Sequence, residues 1–228
     1  MVTPYYQDEY VTLYHGDCLE LRDYWLDADV LVTDPPYGIA WKQNAYKAVG
    51  KSEGTRTKRS TGIKNDTDTS ARDSVLAAFG PKPGIVFGDI LQPFPAGVKR
   101  VLVWQKPADA GFMGSSTWRK DWEPIFIVGK WPKRPARLSS VVPTSVGSHR
   151  QYAQGVHPHA KPQGVMEALI MTAPPGNIAD PFAGSGSTLV AAKALGRKVI
   201  GVELEEKYCE IIAKRCAQDV LDIFGGAA

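Results

Sequence analysis

The residues with the clearest chemical potential are Asp34-Pro35-Pro36-Tyr37, which follow the apolar run Val30-Leu31-Val32. The Asp34 carboxylate and the Pro35 carbonyl are hydrogen-bond acceptors, and the two prolines fix the backbone that carries them. Tyr37 adds an aromatic face. This combination predicts a site that grips a planar group bearing an amine and accepts the amine hydrogens, so that the nitrogen becomes a better nucleophile. A rigid turn after a strand is the alternative explanation.

A second segment has the composition of a ligand-binding turn: Asp180-Pro181-Phe182-Ala183-Gly184-Ser185-Gly186-Ser187-Thr188. Glycine permits a tight turn and a close approach of the backbone, and N–H groups at a helix start can face a ligand. Glu203 ends the next apolar run, where a carboxylate can accept hydrogen bonds from both ribose hydroxyls. The turn alone fits an ordinary strand-to-helix connection. Together with Glu203 it predicts a site for an adenosine-bearing ligand.

Short apolar runs alternate with helical patterns along the chain. Strands are predicted at 11–14, 29–33, 85–87, 100–104, 124–128, 177–179 and 198–203, and helices at 19–25, from 162 onward, at 187–195 and at 205–220. This alternation is typical of an α/β fold with a largely parallel sheet covered by helices on both faces. Ligands bind such sheets beyond the carboxyl ends of the strands, where both motifs stand. The 228 residues are predicted to form a single domain, 1–228.

The two segments together resemble the amino-group (N6-adenine/N4-cytosine) DNA methyltransferases of the permuted β class, in which the Asp-Pro-Pro-Tyr element precedes the glycine-rich one. The resemblance implies a Rossmann-like, S-adenosylmethionine-dependent methyltransferase fold with a mostly parallel, seven-stranded sheet. It implies that S-adenosyl-L-methionine donates a methyl group to the exocyclic amine of a base turned out of the duplex. Asp34, Pro35, Pro36 and Tyr37 are then the catalytic residues, and the base stacks on the Tyr37 ring.

Further segments extend the resemblance. Gly16-Asp17-Cys18 is similar to the family segment whose acid reads the adenine amine of the cofactor, although Asp17 could equally be a helix N-cap. His157-Pro158-His159-Ala160-Lys161-Pro162 is similar to the family's His-Pro-x-x-Lys-Pro element, where Lys161 could neutralise a carboxylate or phosphate or simply be a surface lysine. Trp104-Gln105-Lys106 and Trp122-Glu123-Pro124 look like later sheet segments. The predicted cofactor-binding residues are Asp17, Cys18, His157, Lys161, Asp180, Phe182, Ala183, Gly184, Ser185, Gly186, Ser187, Thr188 and Glu203.

Two basic segments are candidates for contact with phosphates. One lies in a long polar loop predicted at 41–70, and the other lies in a short target-recognition insert predicted at 131–156, smaller than the region that many relatives carry. Solvated loops explain each cluster equally well when it is taken alone. The net charge of +3 does not by itself imply nucleic acid. The predicted DNA-binding residues are Arg56, Lys58, Arg59, Lys133 and Arg134.

Cysteine and histidine usage predicts no metal site, because Cys18, Cys209 and Cys216 lack metal-ligand spacing. The odd cysteine count and the absence of a signal-like N-terminus predict a reducing cytoplasm. The family resemblance implies that this is the cytoplasm of a bacterium or of a phage-infected host cell. No apolar run approaches the ~20 residues that span a bilayer, so no membrane partner is expected. Double-stranded DNA is the expected partner, while a homodimer and a cognate restriction endonuclease are left open.

The target and the class of activity have alternatives. The family resemblance favours adenine N6, because an aspartate, Asp34, rather than a serine precedes Pro-Pro-Tyr, but cytosine N4 fits the same geometry. RNA or protein-amide methylation also uses related motifs, and the permuted order and basic loops favour DNA over both. A non-catalytic module that binds S-adenosylmethionine or nucleic acid is a third alternative, and the intact acceptor and cofactor motifs argue against it.

Overall fold

The computed structural model describes residues 2–40, 64, 66–107, 117–133, 138–144 and 160–218. Within these ranges nine strands form one sheet, flanked by helices. The strands are β1 (Tyr6–Gln7), β2 (Val11–His15), β3 (Val30–Thr33), β4 (Gly84–Phe87), β5 (Val98–Gln105), β6 (Trp122–Val128), β7 (Val141–Pro143), β8 (Ile178–Asp180) and β9 (Val199–Glu203). The helices are α1 (Arg22–Trp25), α2 (Ser70–Phe79), α3 (Gln163–Thr172), α4 (Ser187–Ala194) and α5 (Glu206–Ala217).

The sheet has a parallel centre and a mixed edge. Its strand order is β1-β2-β9-β8-β3-β4-β6-β5-β7. The five strands from β2 to β4 in this order pair in parallel, so their carboxyl ends meet at one edge. Strand β6 runs antiparallel to β4, so its first residues reach that same edge. The edge therefore collects side chains from both kinds of strand.

Burial explains why the central strands are continuous apolar runs. All four residues of β3 and all four of β4 are buried, as expected for strands with helices on both faces. The side chains of α3, α4 and α5 belong to one apolar cluster, which includes Met166 and Ile212. Those of α1 and α2 belong to a second cluster, which includes Trp25 and Phe79. The predicted α/β fold class is confirmed.

Several elements differ from the sequence-based prediction. Helix α2 was not predicted, because its stripe of buried residues contains a charged one, Arg72, whose guanidinium bonds to Asp73 and to the Pro93 carbonyl. Strands β1 and β7 raise the expected count of seven to nine. Both are short and lie at the sheet edges. Strand β7 falls within the segment 131–156 and pairs with β5, so part of the predicted insert extends the sheet.

The three cysteines are free and buried. Cys209 and Cys216 pack inside α5 as small apolar groups, as their spacing predicted. Burial raises the pKa of Cys18 and of Cys209 to about 12 and that of Cys216 to about 11. All three thiols are therefore protonated and unreactive in the folded state at neutral pH.

Candidate active site

The two motifs that are far apart in the sequence lie side by side in the sheet. Strand β3 pairs in parallel with β8, and β8 pairs in parallel with β9. The Thr33 hydroxyl at the end of β3 donates a hydrogen bond of 2.7 Å to Asp180 Oδ1 at the end of β8. Asp34 and Glu203 therefore flank Asp180 at the carboxyl edge of the sheet.

A cavity of about 1300 Å³ lies at this edge. A pocket for one small ligand commonly measures roughly 300–1,000 Å³, so this cavity has room for two groups side by side. The predicted site residues that line it are Asp17, Cys18, Asp34, Pro35, Pro36, Tyr37, Lys161, Asp180, Phe182, Ala183, Gly184, Ser185, Ser187, Thr188 and Glu203. The amine-gripping segment and the glycine-rich segment thus share one cavity.

Other predicted residues lie elsewhere. Gly186 is next to the cavity but does not line it. Lys133 is exposed and does not line the cavity. His157, Arg56, Lys58, Arg59 and Arg134 fall outside the described residues, as does most of the predicted loop 41–70.

Glu203 is buried at the end of β9, with 8% of its surface exposed. Its two carboxylate oxygens accept backbone hydrogen bonds of 2.8 Å from Gly184 and from Glu205. Burial raises the pKa of Glu203 to about 7, and the two backbone donors only partly offset this. Each oxygen keeps a lone pair directed away from these donors, so the carboxylate can accept two more hydrogen bonds.

Asp180 ties the two halves of the site together. It is 2% exposed, and Oδ1 accepts bonds from the Thr33 hydroxyl and, at 3.2 Å, from the Phe182 N–H. Burial raises the pKa of Asp180 to about 6, against the lowering effect of these hydrogen bonds. Its bonds stabilise the start of the glycine-rich turn against β3.

The turn itself depends on glycine for two different reasons. Gly184 and Gly186 both have positive φ, 55° and 80°, which glycine adopts without strain. A Cβ at Gly184 would meet no side chain, whereas a Cβ at Gly186 would come within 2.9 Å of the Ile212 side chain. Gly186 is thus required where α4 packs against α5, and Gly184 leaves its backbone open toward the cavity.

Asp17 and Cys18 form the wall beside β2. Asp17 Oδ1 accepts a bond of 2.7 Å from the Leu19 N–H, so the carboxylate caps a turn that precedes α1. The Cys18 carbonyl accepts a bond of 2.8 Å from the Trp25 indole. Asp17 caps this local turn and not helix α1, whose N-cap position is Leu21, and it lines the cavity. Its role in reading the adenine amine of the cofactor stays a prediction.

On the other side of the cavity, both oxygens of Asp34 already have partners. The Tyr37 hydroxyl lies 2.8 Å from Oδ1, and Lys161 Nζ lies 2.8 Å from Oδ2. Tyr37 is fixed by its own neighbours, because Lys161 Nζ lies 3.0 Å from its oxygen and Glu123 Oε2 lies 3.3 Å from it. Burial, followed by the two nearby carboxylates, raises the pKa of Tyr37 well above its ordinary value. The phenol therefore stays protonated.

Glu123 and Lys106 complete this cluster. Lys161 Nζ lies 3.3 Å from Glu123 Oε2, and Lys106 Nζ lies 2.5 Å from Glu123 Oε1. Burial raises the pKa of Glu123, but the two lysines outweigh that effect, so its pKa falls below the ordinary value. The cluster therefore brings two lysines and two carboxyl side chains together at this side of the cavity.

The comparison with known families decides the class of the protein. The family model described as DNA methylase, for N6 and N4 amino groups, matches residues 28–214. This range contains Asp34, Lys161, Asp180 and Glu203. The chain belongs to this DNA methylase family. The resemblance to amino-group DNA methyltransferases is confirmed.

Relatives of this DNA methylase match over nearly their full length. Type II methyltransferase M2.MboI of Moraxella bovis is 24% identical, over 94% of this chain and 91% of the relative. Type II methyltransferase M2.LlaDCHI of Lactococcus lactis subsp. cremoris is 27% identical, over 94% of this chain and 92% of the relative.

Solved structures share the fold. The M1.HpyAVI–SAM complex has a TM-score of 0.61 at 22% identity and covers 91% of this chain and 99% of that one. The PvuII DNA methyltransferase, named as cytosine-N4-specific, has a TM-score of 0.62 at 16% identity and covers 95% of this chain and 90% of that one.

Sequence reasoning on this DNA methylase missed Glu123 and Lys106 as site residues. Glu123 lies within strand β6, and glutamate is depleted in strands, which is the signal that could have marked it. Lys161 was assigned to the cofactor, yet its contacts are with Asp34, Tyr37 and Glu123. A role for Lys161 in cofactor binding stays a prediction.

The described ranges contain no helix long and apolar enough to cross a membrane. Among the same residues, no three His, Cys, Asp or Glu side chains are grouped as ligands of a metal ion.

Proposed function

We propose that this DNA methylase transfers a methyl group from S-adenosyl-L-methionine to the N6 amine of an adenine turned out of duplex DNA. The observation that carries the proposal is the shared cavity, in which Asp34 lines one side and Glu203 the other. A flipped base and a cofactor have to meet in one enclosed space for direct transfer, and a cavity of about 1300 Å³ provides that space.

The cofactor side fits an adenosine-bearing group. The Glu203 carboxylate keeps free lone pairs for two ribose hydroxyls, and the Gly184 backbone is open toward the cavity. Asp17 stands on the wall beside β2, within reach of an adenine amine in the same cavity. S-adenosylmethionine, when bound, supplies an electrophilic methyl group. The neighbour named as a SAM complex shares this fold.

The amine side supplies acceptors and no covalent nucleophile. Asp34 can accept one amine hydrogen through a remaining lone pair, and the Pro35 carbonyl can accept another. These bonds draw electron density toward the amine nitrogen as it bonds to the methyl carbon, whose bond to the cofactor sulfur would break to leave a neutral thioether. The proton that the nitrogen then loses would pass to Asp34 and from there to solvent. The Tyr37 ring, held by its hydroxyl, provides a stacking face for the base.

The choice of adenine rests on Asp34, because an aspartate rather than a serine precedes Pro-Pro-Tyr. Cytosine N4 is the alternative, since the same acceptors serve both amines. The fold does not separate the two targets, because the neighbour named as cytosine-N4-specific shares it with a TM-score of 0.62.

The partners belong to the same proposal. Double-stranded DNA is contacted through Arg56, Lys58 and Arg59, with Lys133 and Arg134 as the second surface. The relatives named as type II methyltransferases support a role in restriction and modification beside a cognate endonuclease in the bacterial cytoplasm. The homodimer remains an open alternative to a monomer.

Nucleoside mass spectrometry tests the function directly. Duplex DNA is incubated with the protein and methyl-labelled cofactor, digested, and analysed for N6-methyladenine and N4-methylcytosine. We expect labelled N6-methyladenine from the wild-type protein and none from Asp34→Asn, which should still bind the cofactor. Labelled N4-methylcytosine would replace the adenine assignment, and the absence of both products would overturn the proposal.

A further inference from the structure

The charged cluster behind Asp34 is more extensive than an amine acceptor requires. Lys161 joins Asp34 and Glu123, and Lys106 joins Glu123 from the outer side. The side chain of Lys161 is 7% exposed, against 25% for Asp34 and 20% each for Glu123 and Lys106. A lysine buried to this degree costs folding free energy unless charged partners compensate it. Because this arrangement is costly and lies at the carboxyl edge of the sheet beside Asp34, we expect it to have a role in the reaction.

The position of the ammonium group is tightly defined. Its nitrogen lies 4.9 Å from the ring centre of Phe87, 5.4 Å from that of Tyr37 and 5.8 Å from that of Trp104. These are cation–π distances, and they come in addition to the two carboxylates and the Tyr37 hydroxyl. Lys161 is therefore held between strands β4, β5 and β6, unlike a surface lysine ahead of a helix.

The position of Lys161 fixes the orientation of the Asp34 carboxylate, the proposed acceptor of the amine hydrogens. Lys161 holds Asp34 Oδ2 and the Tyr37 hydroxyl holds Oδ1, so the plane of the carboxylate cannot rotate freely. If Asp34 were the sole partner of Lys161, the ammonium would draw electron density from Asp34 and weaken it as an acceptor. Glu123 shares the ammonium with Asp34, and Lys106 in turn balances Glu123.

We propose that Lys161 and Glu123 are positioning residues for methyl transfer: Lys161 orients the Asp34 carboxylate and the Tyr37 hydroxyl, and Glu123 keeps Lys161 charged and centred between two carboxylates. The inference rests on the proposed function. It moves Lys161 from the cofactor side of the cavity, where the family resemblance placed it, to the amine side. It also gives Glu123 and Lys106 a role in the reaction.

The pKa of Lys161 makes this role testable, because each substitution in the cluster should shift that pKa in a definite direction. Burial lowers the pKa of Lys161, but the charges of Asp34 and Glu123 outweigh burial and raise it above the ordinary value. The charged and titratable groups that face Lys161 are Asp34 and Tyr37 after β3 and Glu123 on β6, with Lys106 behind Glu123. Replacing Glu123 by a neutral residue removes one carboxylate and leaves the burial, so Lys161 loses its proton at lower pH.

The test measures single-turnover methylation and cofactor affinity across pH for Glu123→Gln. We expect the rate at neutral pH to fall roughly 10- to 100-fold, as for the loss of a charged hydrogen bond, with cofactor affinity changed by less than about twofold. The alkaline limb of the rate profile should move to lower pH. Glu123→Asp keeps the charge. It should therefore restore part of the methylation rate and return the alkaline limb part of the way to its wild-type pH.

Two controls make the result decisive. Glu167→Gln, on α3 and paired with Gln163 away from the cavity, should leave the rate and the profile unchanged. Lys106→Gln removes the charge that balances Glu123, so it should move the alkaline limb to higher pH, opposite to Glu123→Gln. If Glu123→Gln folds poorly, the direction of the Lys106→Gln shift tests the inference alone, and a shift of its alkaline limb to lower pH would overturn the inference.

A folded Glu123→Gln protein with the wild-type rate and an unmoved alkaline limb would overturn the inference while leaving the proposed function intact. A shift of the limb in the same direction for Glu123→Gln and Lys106→Gln would overturn it as well. If the wild-type protein methylated no DNA, the proposed function would fail and the inference with it.

Discussion

Burial gives Glu203 a pKa of about 7, so its carboxyl is only partly ionised near neutral pH before a ligand arrives. A ribose bound through two hydroxyl donors prefers the ionised form. Cofactor affinity should therefore rise as the pH increases from about 6 to about 8, by up to about tenfold per pH unit below the pKa. Isothermal titration calorimetry in buffers of different ionisation enthalpy would also show proton release on binding.

Glu203→Gln is the matched control for this pH dependence, because it keeps the shape of the side chain and removes the titration. Its affinity should be lower than that of the wild-type protein at about pH 8, by about 1–3 kcal/mol, because charged hydrogen bonds become neutral ones. The slope against pH should be much reduced. An affinity equal to that of the wild-type protein would remove Glu203 from the cofactor site.

We expect two separable roles for Tyr37, because its hydroxyl donates a hydrogen bond to Asp34 and the residue lines the cavity. Tyr37→Phe should slow methyl transfer roughly 5- to 10-fold, since it removes one hydrogen bond that orients Asp34. Tyr37→Ala should in addition weaken capture of the base by about 1–3 kcal/mol. Pre-steady-state kinetics with a fluorescent base analogue at the target position separates the two effects, and equal base capture by Tyr37→Ala would contradict the stacking role.

Individual site residues could be predicted from the sequence where they stand at the end of a predicted strand. Asp34 and Glu203 each follow an apolar run, and parallel strand ends meet at one edge, so their shared cavity follows from pattern alone. The partners of Lys161 were not predictable, because they come from Glu123 on a strand whose antiparallel direction is set by tertiary pairing. Spacing in the sequence carries no information about that direction.

At the level of elements, we expect the turn that follows β6 to tolerate substitution poorly. It lies at the part of the sheet where parallel and antiparallel strands meet. Gly129 has a φ of 75°, and a Cβ there would overlap the carbonyl of Lys82. Gly80, after α2, has a similar φ of 73° but open space around its Cβ position. Gly80→Ala should cost about 1–3 kcal/mol of unfolding free energy from backbone strain, and Gly129→Ala about 1–3 kcal/mol more because a clash is added.

Urea denaturation of both variants measures this difference. Since both turns lie outside the cavity lining, methylation per folded molecule should match that of the wild-type protein at low temperature. Equal destabilisation by the two substitutions would show that the backbone at Lys82 moves aside, and that the edge is less rigid than its packing implies.

The elements themselves were predicted unevenly for a physical reason. Strands such as β4, buried along their whole length, and helices such as α5, with a clear apolar stripe, are marked by their hydrophobic pattern. Helix α2 and strand β7 are not, because their stability comes from contacts made after the chain has folded. Arg72 reaches the Pro93 carbonyl, and β7 is held by the neighbouring strand β5.

For the whole molecule, two buried carboxyls make stability depend on pH. The folded-state pKa values of Asp180, about 6, and of Glu203, about 7, exceed their ordinary values of 3.8 and 4.5. Between those limits the folded protein binds more protons than the unfolded chain, so stability falls as the pH rises. The melting temperature of the cofactor-free protein should therefore drop between about pH 4 and about pH 7. Glu203→Gln should flatten this dependence, and an unchanged slope would contradict the assignment.

DNA binding tests the predicted basic surfaces. Neutralising Arg56, Lys58 and Arg59 together should weaken binding to all duplexes by a similar factor, because bonds to phosphates carry little sequence information. The slope of log affinity against log salt should fall by about 0.9 for each phosphate that the protein no longer neutralises. The same measurement on a Lys133 and Arg134 double variant compares the second surface. An unchanged salt slope for the Arg56, Lys58 and Arg59 variant would show that the segment 41–70 is a solvated loop without phosphate contacts.

The three buried thiols also provide the protein with built-in reporters of local opening. Cys18 lines the cavity, whereas Cys209 and Cys216 lie on the buried face of α5. A disulfide reagent can reach each of them only when its surroundings open, so labelling rates report local opening rather than intrinsic reactivity. Ligand binding should slow the labelling of Cys18 more than that of Cys216. Occupancy of the cavity can then be followed at Cys18, and opening around α5 at Cys216, without introducing a new cysteine.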